Sequence, residues 1–266
     1  MGSLTRLNLR HILSLSAIDT LVETGTGQGN SLAWAVEAGF RTLYSVEQEI
    51  ALFAHCEQRF TDHPQVHLHQ GHCVAFLTDI NTRELLNAFY FLDAHFTGGA
   101  DFGMTSYADS AAREDSYPLL DELGVLLKTD LSQSIIVIDD ARMYFDGAFQ
   151  AGVCPEFARR WQDRAALMER LRPLESTHAI HLMRHDEGYL VIVPKTLAFD
   201  QRRWLMVRAE DSTGLVAFLP NVPGVTGISI QRRLADSRFA TRYFRGHGID
   251  IGGSPDSLAA YRNSSR

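Results

Sequence analysis

Three glycines in one short turn stand between a predicted strand and a predicted helix. The segment reads Glu23-Thr24-Gly25-Thr26-Gly27-Gln28-Gly29. Because glycine has no Cβ, a backbone of this kind can approach a ligand closely and adopt positive φ. The spacing is GxGxG with an acid two residues before the first glycine, which differs from the dinucleotide fingerprint and lacks the P-loop lysine. The pattern predicts a nucleotide-type binding turn; the alternative is a tight strand-to-helix connection without a ligand.

A carboxylate closes the second predicted strand, about twenty residues beyond the turn. Glu47 holds this position, from which an acid can accept hydrogen bonds from the two hydroxyls of a ribose. A solvated acid at a strand end is the plain alternative. The turn and Glu47 together favour the nucleotide interpretation.

Further acids follow the fourth and fifth predicted strands, which end Asp93-Ala94-His95 and Asp139-Asp140. Ligands of open parallel sheets bind beyond the carboxyl ends of the strands. Three carboxylates that converge there repel one another unless a cation lies among them, and oxygen ligands suit Mg²⁺. Asp93, Asp139 and Asp140 are therefore candidate Mg²⁺ ligands. Alternatively, Asp139 and Asp140 are strand-end or helix-capping acids.

A histidine lies two residues beyond Asp93. In an extended backbone His95 and Asp93 would share one face, and the ordinary pKa of histidine lies near working pH. His95 is the candidate general base and Asp93 its candidate catalytic partner.

These motifs resemble those of the class I S-adenosylmethionine-dependent methyltransferases, in which an acid precedes GxGxG and a second acid ends strand two. The resemblance covers about residues 15 to 195, including the strand order and the final hairpin. It implies that Glu23 and the glycine turn hold the methionine part of the cofactor and that Glu47 holds the ribose. In the family an acid after strand three contacts the adenine amine; this sequence has His72 there. The candidate cofactor-binding residues are Glu23, Thr24, Gly25, Thr26, Gly27, Gly29, Glu47, Gly71, His72 and Asp93.

The acidic cluster resembles that of the metal-dependent O-methyltransferases of the catechol and antibiotic-sugar types. In those enzymes an Asp after strand four and an acidic pair after strand five bind Mg²⁺. The resemblance implies Mg²⁺-assisted methyl transfer to a hydroxyl of a small polar acceptor. Two alternatives stay open: a metal-independent enzyme in which Asp93 and His95 act without a cation, and a non-catalytic binding module of the same fold.

Short apolar runs alternate with helical patterns between residues 18 and 194. This alternation predicts an α/β fold, a Rossmann-like, doubly wound, seven-stranded sheet that is mostly parallel and ends in an antiparallel hairpin. Strands are predicted at 18–23, 42–47, 66–69, 89–93, 134–139, 178–183 and 189–193. Helices are predicted at 31–39, 48–60, 118–128 and 161–171. A Gly/Ser-rich loop at 96–117 is expected to cover the strand ends and close on substrate.

Composition excludes several classes of protein. The chain has 266 residues, 45% hydrophobic and 21% charged, which argues against a fibrous or wholly disordered protein. A net charge of −7 argues against a general nucleic-acid binder. The sequence has no uninterrupted apolar segment suited to a signal peptide or a membrane span. We expect a cytoplasmic protein with a small hydroxylated substrate, without nucleic-acid or membrane partners; assembly into a homo-oligomer is left open.

The apolar pattern weakens after Pro194. We predict a methyltransferase domain over residues 1–197, a basic linker or arm over 198–245 and a tail over 246–266. Residues 201–245 carry a local net charge of +5, so they form a solvated linker or a partner-binding arm. The tail contains an apolar–Asp–apolar–Gly-Gly motif, which is either the start of a truncated second domain or an unstructured end.

Overall fold

A seven-stranded sheet forms the larger of two compact units in the chain. The computed structural model describes residues 4–81, 87–95, 117–154, 163–210 and 216–220. The strands are β1 (Thr20–Thr24), β2 (Thr42–Glu47), β3 (Val66–Gln70), β4 (Ala88–Leu92), β5 (Ile135–Ile138), β6 (His178–Met183) and β7 (Tyr189–Pro194). Their order is β3-β2-β1-β4-β5-β7-β6. The first five strands are parallel, and β7 is antiparallel to both β5 and β6. The predicted fold class is confirmed.

Helices connect the strands of this unit. They are α1 (Leu9–Leu15), α2 (Asn30–Ala38), α3 (Ile50–Arg59), α4 (Cys73–Asn81), α5 (Leu119–Leu126) and α6 (Arg164–Leu171), with 3-10 turns at Ala141–Met143 and Arg172–Ser176. The sequence patterns predict neither α1 nor α4. Helix α4 has several β-branched residues, which weaken helix propensity, and tertiary packing decides its conformation. Across the described ranges, no helix combines the length and the apolar character needed to cross a membrane.

The central strands are buried on both faces. Every residue of β4, β5 and β7 is buried, as expected for a sheet with both faces covered. Leu123 of α5 and Leu171 of α6 belong to the same core as Ile136 of β5. Strand β3 lies at the edge and has no fully buried position. The strands in the middle of the sheet therefore form the most firmly packed support for residues at their ends.

The register brings four strand ends to one line. The aligned residues of β1, β2, β4 and β5 are Thr24, Val46, Leu92 and Ile138. The residues that follow them in the chain are Gly25, Glu47, Asp93 and Asp139. We call this line the carboxyl edge. It places the residues with candidate chemistry side by side along four neighbouring strands.

The second compact unit combines residues 5–8 with the described residues from 200 to 220. Its described part contains the short helix α7 (Gln201–Trp204) and an antiparallel hairpin of β8 (Met206–Glu210) and β9 (Val216–Pro220). Leu7 and Leu205 form an isolated antiparallel bridge. The hairpin lies in the segment that we expect to be a basic linker or arm. Residues 221–266, with the predicted tail, lie outside the described residues, and the predicted domain boundaries stay a prediction.

Candidate functional site

The glycine turn between β1 and α2 has three glycines in the left-handed region, with φ of 84° at Gly25, 54° at Gly27 and 78° at Gly29. A Cβ at Gly25 would lie 2.6 Å from the backbone oxygen of Asp93. At Gly27, by contrast, no described atom lies within 4 Å of that position. The turn is thus pressed against the end of β4 at Gly25 and open at Gly27.

The acid before the turn belongs to a buried network. Glu23 is 1% exposed, and the Ser45 hydroxyl donates to its Oε2 at 2.7 Å. The Thr26 hydroxyl lies 2.6 Å from Ser45 Oγ, which links the network to the glycine turn. Burial raises the pKa of Glu23 to about 8, because it outweighs the hydrogen bond from Ser45. Glu23 therefore positions the turn through Ser45 and Thr26.

Glu47 joins the end of β2 to the glycine turn. The backbone N–H of Gly27 donates to Oε2 at 2.8 Å, and that of Glu49 donates to Oε1 at 2.8 Å. Burial raises the pKa of Glu47, although these backbone hydrogen bonds lower it. Each carboxylate oxygen keeps a further lone pair. The open face at Gly27 and these lone pairs fit a nucleoside with a ribose diol, as S-adenosylmethionine has.

The two residues after β3, Gly71 and His72, make hydrogen bonds to the neighbouring backbone. Gly71 N–H donates to the backbone oxygen of Glu47 at 2.9 Å. His72 Nδ1 accepts a hydrogen bond from the N–H of Val74 at 3.2 Å, at the first turn of α4. His72 thus satisfies a helix N-terminus that would otherwise lack a partner. Its predicted contact with a cofactor stays a prediction.

His95 lies between two carboxyls. Its Nε2 is 2.8 Å from Asp140 Oδ2, and its Nδ1 is 3.4 Å from Asp93 Oδ1. Burial alone would lower the pKa of His95, but the hydrogen bond and the charge of Asp140 raise it above its ordinary value. The structure brings together both predicted catalytic residues, His95 and Asp93.

Both oxygens of Asp140 have cationic partners. His95 holds Oδ2, and Arg142 Nε donates to Oδ1 at 3.2 Å. Arg142 also donates to Glu187 Oε1 at 2.9 Å. Burial works to raise the pKa of Asp140, but the hydrogen bond from His95 and the charges of His95 and Arg142 hold it below its ordinary value. Asp140 has φ of 51°, which turns the chain out of β5 toward these partners.

The three predicted Mg²⁺ ligands lie at the carboxyl edge. Burial raises the pKa of Asp93 well above its ordinary value, and the charges of Asp139 and Asp140 add to the effect. However, the described residues contain no group of three His, Cys, Asp or Glu side chains that could hold a metal ion. Because His95 and Arg142 occupy Asp140, the residues do not fit the predicted metal. The charge of Asp140, which the sequence assigns to Mg²⁺, is instead compensated by the side chains of His95 and Arg142.

A cleft opens beside His95 beyond β4 and β5. Its polar lining consists of His95, Tyr117, Glu122, Asp139 and Tyr144. Asp139 is 3% exposed, and burial together with the charge of Asp140 raises its pKa to about 7. Within the described ranges, neither carboxyl oxygen of Asp139 has a hydrogen-bond partner. The cleft is where an acceptor would reach His95.

Sequence reasoning missed Glu122, which is 1% exposed on α5. Burial raises its pKa to about 7, against hydrogen bonds from the Thr24 and Cys73 side chains. A signal was available, since Glu122 lies three residues after Leu119 and four before Leu126. These offsets place an acid on the apolar face of the helix. Two residues after β5 also contribute to the site, since Tyr144 lines the cleft and Arg142 donates to Asp140.

Two histidines of β3 lie away from this site. His67 stacks on Tyr44 with ring centroids 5.0 Å apart, and His69 lies 4.9 Å from the ring of Phe76. These histidines therefore pack against aromatic side chains on and beside the edge strand. Most of the predicted closing loop, residues 96–116, lies outside the described residues.

No protein-family model and no curated protein matches the chain. Solved structures are similar to it. The O-methyltransferase TomG from Streptomyces achromogenes, in complex with SAM, is 15% identical, with a TM-score of 0.45 over 70% of this chain and 77% of that one. The SAH-bound methyltransferase PaMTH1 from Podospora anserina is 18% identical, with a TM-score of 0.42 over 66% and 72% of the two chains. A SAM dependent methyltransferase from Aquifex aeolicus is 13% identical, with a TM-score of 0.42 over 71% and 89%.

The sheet itself has the features on which the predicted resemblance rests: five parallel strands, an antiparallel β7 inserted between β5 and β6, and a glycine turn after β1. The chain has the class I methyltransferase fold.

Proposed function

We propose that this chain transfers a methyl group from S-adenosylmethionine to a hydroxyl of a small polar acceptor. One observation carries the proposal. The glycine turn is hydrogen-bonded to Glu47 and abuts Asp93, so a donor site and the Asp93–His95–Asp140 group share the carboxyl edge. A donor held at the turn would lie next to His95, which bridges two carboxyls.

The donor side of the site positions a nucleoside and its methionine part. S-adenosylmethionine supplies an electrophilic methyl group on a sulfonium. Glu47 accepts hydrogen bonds from the ribose hydroxyls through the lone pairs that Gly27 and Glu49 leave. Glu23 holds the turn in shape through Ser45 and Thr26. Asp93, with a raised pKa, faces the region of positive charge and ionises when that charge binds.

The acceptor side supplies a base. In neutral His95 the proton lies on Nε2 and is donated to Asp140, so that Nδ1 is the accepting nitrogen of the ring. Nδ1 takes the proton of the acceptor hydroxyl as the new O–C bond forms and the C–S bond breaks, and Asp140 stabilises the resulting imidazolium. Buried side chains around the group exclude water and fix the two reactants in line.

The geometry supports a metal-independent version of the reaction better than the Mg²⁺-assisted one that the sequence suggests. A metal would have to displace His95 and Arg142 from Asp140, both within 3.2 Å of it. We therefore assign proton removal to His95. The small-molecule partner, the absence of nucleic-acid and membrane partners, the cytoplasmic location and the oligomeric state stay predictions.

Calorimetric titration of the chain with S-adenosylmethionine tests the donor site. Glu47→Ala removes the ribose acceptor, and we expect it to weaken binding by roughly 1–3 kcal/mol. Glu57→Ala is the matched control, because Glu57 is an exposed acid on the neighbouring α3. Absence of donor binding to the unchanged chain would leave only the non-catalytic module.

Turnover tests the acid–base group. Formation of S-adenosylhomocysteine is followed with a panel of phenols, catechols and sugars, with EDTA and with added Mg²⁺. We expect His95→Ala to lose roughly 100-fold or more in rate, the scale of general base catalysis, and EDTA to leave the rate unchanged. Loss of turnover in EDTA that Mg²⁺ restores would instead establish the metal-assisted reaction.

A further inference from the structure

The cleft beside His95 contains buried carboxyl oxygens without partners. Glu122 is 1% exposed and Asp139 is 3% exposed, and both line the cleft. Among the described residues, Oε1 of Glu122 and both carboxyl oxygens of Asp139 lack a hydrogen-bond donor. Buried polar atoms are nearly always hydrogen-bonded, so three unmatched acceptors in one cleft indicate that a bound molecule supplies the donors.

The nearby protein cations are committed to other acids. His95 bonds Asp140 at 2.8 Å, and Arg142 bonds Asp140 and Glu187 at 3.2 and 2.9 Å. Two positive groups therefore face two carboxyls within their own network. In the described part of the site, Glu122 and Asp139 have no ion pair of their own. Burial raises the pKa of Glu122 to about 7, as expected of a carboxyl that is withdrawn from water.

An ammonium group complements this cleft better than a hydroxyl does. It offers three donors and no acceptor, and it supplies the positive charge that a buried carboxylate requires. A hydroxyl would satisfy one oxygen without adding charge. The rest of the lining is apolar and offers an ammonium group no competing donor or acceptor from a side chain: Leu92, Ala94, Pro118, Leu119, Ile138 and Met143.

We infer that the methyl acceptor is a hydroxyl-bearing primary amine whose ammonium group binds Glu122 and Asp139 in this cleft. The inference rests on the proposed function and names its substrate class. The ammonium at the two carboxyls anchors the molecule, and its hydroxyl then lies against His95, which also lines the cleft. Glu122 and Asp139 are specificity-determining residues in this arrangement, and proton removal stays with His95.

Matched pairs of probes test the charge preference. Tyramine is compared with 4-propylphenol, and 3-aminopropanol with 1-butanol; each pair exchanges an ammonium for a methyl group and keeps the hydroxyl. Binding to the full chain is measured by calorimetry with and without saturating S-adenosylhomocysteine. We expect the amine of at least one pair to bind about tenfold or more tightly than its neutral partner, the scale set by a buried charge pair.

Two variants locate the preference. Glu122→Gln and Asp139→Asn are each expected to reduce the advantage of the amine to less than about threefold, because the countercharge is gone. Asp121→Asn is the matched control, since Asp121 is the exposed neighbour of Glu122 on α5. It should keep the full preference. A rate assay should show the same loss in KM for amine acceptors, with kcat changed less.

A second measurement does not depend on the shape of the probe. At pH 8 the ligand-free Glu122→Gln protein should melt at a higher temperature than the unchanged chain, because a buried carboxylate without a countercharge is removed. The inference is overturned if no amine binds more tightly than its neutral partner, including when neither binds, or if Glu122→Gln lowers the melting temperature. Failure to bind S-adenosylhomocysteine is a separate result that contradicts the proposed function instead.

Discussion

At the scale of single residues, the chemistry of the site depends on which protonation state His95 has. Its ring nitrogens face Asp140 at 2.8 Å and Asp93 at 3.4 Å, an arrangement that favours the imidazolium. An imidazolium cannot accept the acceptor's proton, so only the neutral fraction of His95 is active. Because the pKa of His95 is raised above 6.5, we expect the rate to increase with pH through a midpoint above that value.

Replacement of Asp140 tests this assignment. Asp140→Asn removes the charge that raises the pKa of His95, so the midpoint of the pH–rate profile should move to lower pH. Burial then becomes the dominant effect on the histidine, and burial lowers its pKa. The maximal rate should also fall, roughly tenfold or more, since Asp140 orients the ring. The measurement is the rate of S-adenosylhomocysteine formation between pH 5.5 and 9.

The control is Asp146→Asn, because Asp146 is an exposed acid on the same segment after β5. It should leave both the midpoint and the rate unchanged. A midpoint that stays in place in Asp140→Asn would assign the titration to another group, and His95 would lose its role as the base.

Most residues of the site could be predicted from the sequence, but the contacts that Arg142 makes with them could not. Asp93, His95, Asp139 and Asp140 were found because acids at the ends of buried strands converge in a parallel sheet. Their interpretation as a metal site fails on Arg142, whose side chain reaches both Asp140 and Glu187. The spacing of the sequence does not indicate that Glu187, which precedes β7, contacts Arg142, which follows β5. That contact depends on the antiparallel pairing of the two strands.

At the scale of elements, the glycine turn shows how a backbone conformation supports the site. Gly25 combines φ of 84° with a Cβ position 2.6 Å from the Asp93 oxygen. A side chain there would push the turn away from β4. The turn would then lose its alignment with Glu47, to which Gly27 donates its N–H.

We therefore expect Gly25→Ala to affect both stability and donor binding. Positive φ costs an alanine about 1–2 kcal/mol, and a forced contact adds roughly 1–3 kcal/mol. Gly39→Ala is the matched control, since Gly39 has φ of 105° at the end of α2 and no described atom within 4 Å of its Cβ position. Gly39→Ala should lose less free energy of unfolding than Gly25→Ala, because it has the unfavourable φ without the forced contact. Urea unfolding and calorimetry with S-adenosylmethionine provide the two measurements.

The two variants separate strain from function. Donor binding should be lost in Gly25→Ala and kept in Gly39→Ala. Equal loss of stability in both, with donor binding intact in both, would mean that the turn tolerates displacement from β4.

The elements themselves were predictable where the apolar pattern was strong. Strands β2 and β6 begin and end as predicted, because each is bounded by polar or turn residues. Helix α4 was missed because three of its nine residues, Val74, Thr78 and Ile80, are β-branched and weaken its helix propensity. The register of β1, β4 and β5 could not be derived from the sequence, since a parallel pair can slip without changing the composition of either strand.

At the scale of the whole molecule, negative charge is concentrated and buried. Residues 1–200 carry a net charge of −12, and several of these acids lie inside the larger unit near the carboxyl edge. Those with raised pKa values are Glu23, Glu47, Asp93, Glu122 and Asp139. In the ligand-free protein Glu23, Glu122 and Asp139, with pKa values of about 8, 7 and 7, stay partly protonated near neutral pH, and the folded state therefore binds more protons there than the unfolded chain.

This difference predicts that the ligand-free protein loses stability as the pH rises above 7. The pKa of Glu23 is about 8 in the folded protein against 4.5 ordinarily, so folding retains a proton that unfolding releases, and stability falls until the pH passes about 8. Glu122 and Asp139, with pKa values of about 7, act in the same direction. The pKa values of His178, His181 and His185 are lowered by burial, which opposes this trend only below about pH 6.5, the ordinary histidine value.

The comparison is therefore made at pH 7 and pH 8.5, by urea unfolding of the ligand-free chain. Linkage gives a loss on the order of 2 kcal/mol over this interval, which corresponds to several degrees in melting temperature. Glu23→Gln should show a smaller loss, because the largest contribution no longer titrates, whereas Glu57→Gln should follow the unchanged chain. Stability that stays constant or rises toward pH 8.5 would contradict the burial of an uncompensated acid beneath the glycine turn. Saturating S-adenosylmethionine should reduce the loss, because its positive charges favour the ionised acids that the empty site destabilises.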